Sequence, residues 1–161
     1  MIEKFEGRWS FLSNFHPCDI YHQGIKYPST EHYYVAMKCN NEQIINGRQY
    51  TVNDFREMIS KTPSPGLVKK IGKNIQIRND WNDKKLEFMN WGIREKFKNE
   101  DLKILLLSTD ELMIVEGNYW KDYFWGVCNG KGENNLGKIL MKVRDEIKGI
   151  KKVGLESILG L

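Results

Sequence analysis

Apolar positions recur at helical spacing through most of the chain. In "DKKLEFMNWGIREKFKN" Leu86, Met89, Ile93 and Phe97 fall at i, i+3, i+7 and i+11, one continuous face and the strongest helical signal. "NNLGKILMKVRDEIKG" repeats the pattern with Leu136, Ile139/Leu140, Val143 and Ile147, and "DLKILLLS" reads as a separate short helix. Further forward, Thr51 with Asp54 three residues on marks a helix start ahead of Val52, Phe55 and Met58/Ile59. Pro65 suits the first position of another short helix in "SPGLVKKIGKN".

The front of the chain has a different rhythm. "CDIYHQGIKYP" holds two β-prone runs about Gln23-Gly24 and predicts a hairpin. Pro28 and Ser29 then punctuate, with Ser29 or Thr30 capping the helix that follows. "GRWSFLSNFHP" reads as a core strand with polar turn residues, or as a pocket wall in which Asn14 orients a ligand. "LMIVEG", residues 112–117, is short and β-branched and reads as a buried strand. The order gives an α+β class: a single compact domain, helix-rich with a small β-sheet. Residues 1–149 form that domain, and 150–161, "IKKVGLESILGL", are a tail that packs on the body or stays mobile. Neither β-α-β alternation nor a glycine-rich nucleotide fingerprint supports a doubly wound or P-loop reading.

Composition narrows the function classes only a little. A net charge of +4 over 161 residues suits anionic small molecules and nucleic acid equally. No apolar run approaches the ~20 residues of a membrane span, and "MIEKFEGRWSF" lacks a signal-type apolar stretch. The expectation is a cytoplasmic protein without a membrane partner. Cys18, Cys39 and Cys128 are odd in number and widely spaced, and His16, His22 and His32 have no zinc-ligand spacing. Buried thiols are expected, with no metal and no cofactor.

The candidate chemistry starts in "YPSTEHYYVAMK". Glu31 and Lys38 are seven positions apart, so on a helix they differ by about 20° in azimuth and about 10 Å along the axis. They are too far apart for a direct pair, yet can flank a small molecule. Glu31 sits in the first turn, among tyrosines and small residues rather than other charges. Trp81 opens a helix, either as a lid on the core or as a stacking platform for a heterocycle. In "NYWKDYFWGVCNGKGENNLGK", aromatic residues flank Asp122, a candidate acid or base, and Trp125-Gly126 follows. Gly130, Gly132 and Asn134 then lead into a helix, as an anion-binding loop or as a turn with Asn134 at the N-cap.

Taken together, "FLSNFHPC", "YPSTEHYYVAMK", "RNDW", "FMNWGIREKF", "LLLSTDELMIVEGN" and "DYFWGVCNGKGENNLGKILMKVR" resemble the blocks of the NADAR, or YbiA-like, family in the same order. The resemblance runs over roughly residues 5–144. It implies a YbiA-like fold and hydrolysis of an N-glycosidic bond. Two substrate classes come with it: phosphoribosylamino-pyrimidine intermediates of riboflavin synthesis, and ADP-ribose attached to guanine in nucleic acid. A non-catalytic ADP-ribose or nucleotide binding module is the rival of a different class. The resemblance places catalytic roles on Glu31, Lys38 and Asp122, and substrate contacts on Trp81 and Asn134. Asn14, Trp125, Gly126 and Gly132 join them as candidate substrate contacts from their own local patterns. Three roles are open to Lys38: donating a proton, holding phosphate, or attacking C1′ to form a Schiff base. The chain departs from the family where its usual glutamine is replaced by Val35.

Overall fold

The computed structural model describes residues 1–160, the Lys152 side chain excepted. It has the helix-rich α+β character expected, with two antiparallel two-stranded sheets. The chain's contacts group it into two compact units, Asn14–Lys96 and Met1–Ser13 with Phe97–Leu161.

The 14–96 unit begins with the expected hairpin, β1 (Pro17–His22) and β2 (Ile25–Ser29). Gln23 and Gly24 both take positive φ at its turn, which fits the right-handed twist of the paired strands. Ser29 then caps α1 (Thr30–Met37), its Oγ accepting from the His32 N–H. All eight residues of α1 are buried. "TEHYYVAM" has no polar stripe, and such a helix is stable only when enclosed on every side. It packs on β2, α2 (Val52–Lys61), α3 (Pro65–Gly72) and α4 (Trp81–Lys96). His32 is a structural member of this packing. Its Nε2 donates to the Thr62 carbonyl at 2.9 Å, leaving Nδ1 to accept from Ser29 Oγ at 2.6 Å. The Thr51/Asp54 capping box and Pro65 in the first turn of α3 are where the sequence puts them. A second hairpin, β3 (Gln43–Ile45) and β4 (Arg48–Tyr50), turns at Asn46-Gly47 and was not among the expected elements.

Three expectations change. "GRWSFLSNFHP" is not a core strand: Gly7–Leu12 is a 3-10 helix. Phe11 and Leu12 are both buried in sequence, which the alternation of a strand does not allow. Residues 112–117 make only single bridges, Ile2 with Ile114 and Gly117 with Val127. Their backbone also bonds to that of Ile2, Glu3 and Val127, and the Asn134 side chain donates to Ile114 O and accepts from Glu116 N. Leu86, expected on the buried face of α4, is 44% exposed, while Met89, Ile93 and Phe97 are enclosed as expected.

In the second unit, α5 (Glu100–Leu107) and α6 (Asn135–Leu159) pack together, and Phe11 meets Phe97 edge-on. Arg144 is buried, and its guanidinium donates to Thr109 Oγ1 and the Leu112 carbonyl. The expected boundary near residue 149 falls inside α6, which runs unbroken to Leu159. Ile150, Val153, Leu155, Ile158 and Leu159 are exposed, and Leu161 lies outside the described residues. Among the described residues no helix is long and apolar enough to cross a membrane.

Candidate active site

The sequence-predicted residues fall into two groups, one in each unit. Asn14, Glu31, Lys38 and Trp81 belong to the 14–96 unit, Asn14 beside Glu31 at the start of α1 and Trp81 beside Lys38 at its end. Asp122, Trp125, Gly126, Gly132 and Asn134 share one loop of the other unit.

Lys38 is the C-cap of α1. Its carbonyl accepts from the Arg78 N–H at 2.9 Å, while the Arg78 guanidinium reaches the Met37 carbonyl. Asp80 holds that guanidinium from the other side, at 3.0 Å between Nη2 and Oδ2. The "RNDW" segment is thus clamped across the open carbonyl end of α1, a place that favours a cation. The clamp delivers Trp81 to Lys38. The Lys38 Nζ lies 5.8 Å from the Trp81 ring centroid and 5.4 Å from that of Tyr34, and the two rings are 4.9 Å apart. Phe88 stacks on Trp81, their planes 18° apart. Trp81 is half-buried, so it is both a wall of the core and a face beside the amine.

Burial pushes the Lys38 proton affinity down; Glu31 opposes that shift, and Lys69 and Lys73 reinforce it. Glu31 itself is only 9% exposed, in the first turn of α1, where the helix N-terminus favours an anion. A solvated charged face is therefore excluded. The Glu31 N–H donates to the Asn14 carbonyl at 3.0 Å. Asn14 Nδ2 rests against Met89 Sδ at 3.5 Å, and its Oδ1 is enclosed with no partner. A buried acceptor in that condition suits a ligand donor.

In the other unit the polar groups build the loop. Asp122 Oδ1 accepts from the Phe124 and Trp125 N–H groups at 3.1 and 2.8 Å. The Asn118 side chain accepts from Asp122 N and donates to Asp122 O. Asn134 occupies the N-cap of α6 in a left-handed conformation, and its amide holds the 114–116 segment instead of capping the helix. Gly126 and Gly132 answer to close backbone approach. A β-carbon would lie 2.2 Å from Glu116 O at the first and 2.1 Å from Gly126 O at the second. Trp125 is half-buried, edge-on to Phe124 at 4.8 Å.

The NADAR domain model matches residues 3–148, nearly the whole chain. The chain belongs to the NADAR family. A riboflavin biosynthesis protein of Vibrio vulnificus is 35% identical over 142 residues, 86% of this chain. The chain spans only 35% of that relative's length. N-glycosidase YbiA of Shigella sonnei is 33% identical over 140 residues, covering 84% of this chain and 80% of the relative. The solution structure of Escherichia coli YbiA superposes with a TM-score of 0.75 at 29% identity, over 95% of this chain and 89% of that one.

Position 35, where the family resemblance leads one to expect a glutamine, holds a fully buried valine. A β-carbon on Gly72 would lie 3.0 and 3.1 Å from the two γ-carbons of Val35, so the branched side chain packs into the space the glycine leaves on α3. Sequence reasoning missed Gly72, Lys69, Lys73 and the clamping role of Arg78. A glycine inside an amphipathic helix was the available signal for the first. It also missed Lys96, fully enclosed on α4, whose proton affinity burial lowers to about 8, with the Cys18 thiol opposing. Among the described residues no group of three or more His, Cys, Asp and Glu could hold a metal ion.

Proposed function

We propose that this protein is an N-glycosidase that hydrolyses the C1′–N bond of a ribosylated base, with phosphoribosylamino-pyrimidines of riboflavin biosynthesis as its substrates. The observation that carries the reading is the Lys38 amine, half-buried, boxed by Tyr34 and Trp81 and coupled to a buried Glu31. The names of its relatives, an N-glycosidase and a riboflavin biosynthesis protein, support the same chemistry.

Breaking a C1′–N bond builds positive charge on the sugar carbon and negative charge on the departing base. Trp81 offers its face to the base. Lys38, neutral more often than a surface lysine because burial disfavours its charge, attacks C1′. The C1′–N bond breaks and its electron pair leaves with the base, which takes up a proton. The proton released by the attacking nitrogen passes through water to the departing base, while the Glu31 carboxylate stabilises the cationic sugar. Ring opening protonates O4′ and gives a Schiff base, which water hydrolyses to free sugar and the original amine. Asn14 Oδ1 orients a sugar hydroxyl. Asp122 and Asn134 serve through the loop they hold, with Trp125, Gly126 and Gly132 completing it.

The test is a direct comparison of substrates. Purified protein is given a phosphoribosylamino-pyrimidine, or an oligonucleotide carrying ADP-ribosylated guanine, and released base or ADP-ribose is measured. Release from the pyrimidine at least tenfold faster is expected. The opposite order would move the assignment to nucleic-acid repair, and tight binding without release from either would make this a binding module.

A further inference from the structure

Val35 and Lys38 are three positions apart at the end of α1 and turn the same way, toward α3. Val35 is fully buried and shares a core cluster with Val68, which lies one turn before Gly72 on the same side of α3. Gly72 is itself buried. A β-carbon there would lie 3.0 and 3.1 Å from the two γ-carbons of Val35 and 3.7 Å from Lys38 Nζ. One bare backbone position thus meets a core side chain and the candidate nucleophile together. Gly92 on α4 differs: a β-carbon there would meet Tyr33 at 2.8 Å and Thr30 at 3.5 Å, groups the proposed reaction does not use.

The spacing of two packed helices is set by the side chains at their crossing. Val35 is β-branched, and on a helix its χ1 is held to essentially one rotamer, so it has no easy way to swing clear of an added methyl group. A side chain at position 72 therefore drives α1 and α3 apart. The amine then loses the wall that α3 gives it beside the Tyr34 and Trp81 rings. A misplacement of about 1 Å at a reacting group costs on the order of a hundredfold in rate. The charged or titratable groups that bear on the amine are Glu31 and Tyr34 of α1, Lys69 and Lys73 of α3, and Arg78, engaged by Asp80, ahead of α4. A substitution at 35 or 72 changes none of those charges.

We infer that Gly72 and Val35 are a matched pair of positioning residues that fixes how deeply the Lys38 amine sits against α3. Both act through Lys38 and have no part in bond making. Their effect on base release rests on the N-glycosidase reading; the seating of the amine does not. The pairing gives the valine at 35 a task, since its two methyl groups gauge the gap between α1 and α3 at the amine.

Gly72→Ala, Val35→Ala and the double variant test the pair by two readouts. The first needs no substrate. Limiting acetic anhydride is applied over a pH series, with exposed Lys131 as internal standard, and labelling of the peptide bearing Lys38 gives the pH at which that amine is half-protonated. Water admitted to the amine should raise that midpoint in Gly72→Ala by about half a pH unit or more. The second readout is base release: kcat per folded molecule should fall at least tenfold, KM should change less than threefold, and the pH-rate profile should move with the midpoint. The double variant removes the γ-carbons that the new methyl group meets, so both readouts should return toward wild type and the two substitutions should be far from additive. Should Gly72→Ala fail to fold, Val35→Ala against the double variant carries the test: loss of the two methyl groups loosens the seat and raises the midpoint, and the added β-carbon restores it. A double variant no closer to wild type than its worse parent overturns the pairing. Folded Gly72→Ala with midpoint and base release both at wild-type values overturns the pairing and leaves the enzyme reading standing. A shifted midpoint with no base release from any substrate, wild type included, overturns the enzyme reading and leaves the pairing.

Discussion

Helix α1 and the loop over 117–134 look alike in sequence, each setting acidic and other polar side chains among aromatic rings, and they use those groups differently. In the loop, Asp122 Oδ1 holds two N–H groups of its own turn, and both ends of the Asn134 amide hold the 114–116 backbone. Around α1, Glu31 and Lys38 are taken out of water on one helix, and the amine's proton affinity is depressed by that burial. Polar groups bonded to nearby backbone lower the energy of one conformation. Charges held in partial burial against each other retain free energy that a substrate can release. The first arrangement builds a scaffold, and the second is where chemistry is expected.

Mutations can break that contrast. Lys38→Met should lower base release by about a thousandfold or more, since it removes the proposed nucleophile, with the melting temperature held or raised because a partly buried charge is gone. Activity near wild type would remove α1 from the chemistry. Glu31→Gln should cost about a hundredfold to a thousandfold in turnover with little change in melting temperature; a large loss of stability would make Glu31 the same kind of group as Asn134. Asn134→Ala should show the reverse profile. Two buried backbone partners lose their bonds, at about 2–4 kcal/mol in urea unfolding, while turnover per folded molecule falls far less than in Glu31→Gln.

The smallest effect concerns Lys96. Its folded proton affinity, about 8, lies below the ordinary lysine value of 10.5. Between those two pH values the unfolded chain binds the extra proton, so stability rises with pH across the window. Below pH 8 both states are protonated and the cost of the buried charge is present in full. Unfolding measured from pH 7 to 10 should show this rise in the wild type and its absence in Lys96→Met.

What could be read from the sequence was mainly what neighbouring residues decide. The Ser29 and Thr51 caps, Pro65 at the head of α3 and the period of α4 depend on residues a turn or two apart, and the structure has them. Asn46-Gly47 was an equally local hairpin signal that went unread, because strands of three residues, partly polar, give little alternation around it. The 112–117 segment could not be resolved from its own residues, since its partners are Ile2, Val127 and Asn134, far off in the chain. Glu31 and Lys38 were legible as a pair through helix geometry. Their burial, the Gly72 contact and the clamp from Arg78 are tertiary facts that no spacing along α1 encodes.

The central claim is that the Lys38 nitrogen bonds to the sugar during turnover. Incubating the protein with its ribosylated substrate and borohydride, then mapping peptides by mass, tests it most directly. A reduced sugar adduct on the peptide bearing Lys38, absent from Lys38→Met, is the predicted result. Complete release of base with Lys38 unmodified throughout would contradict it.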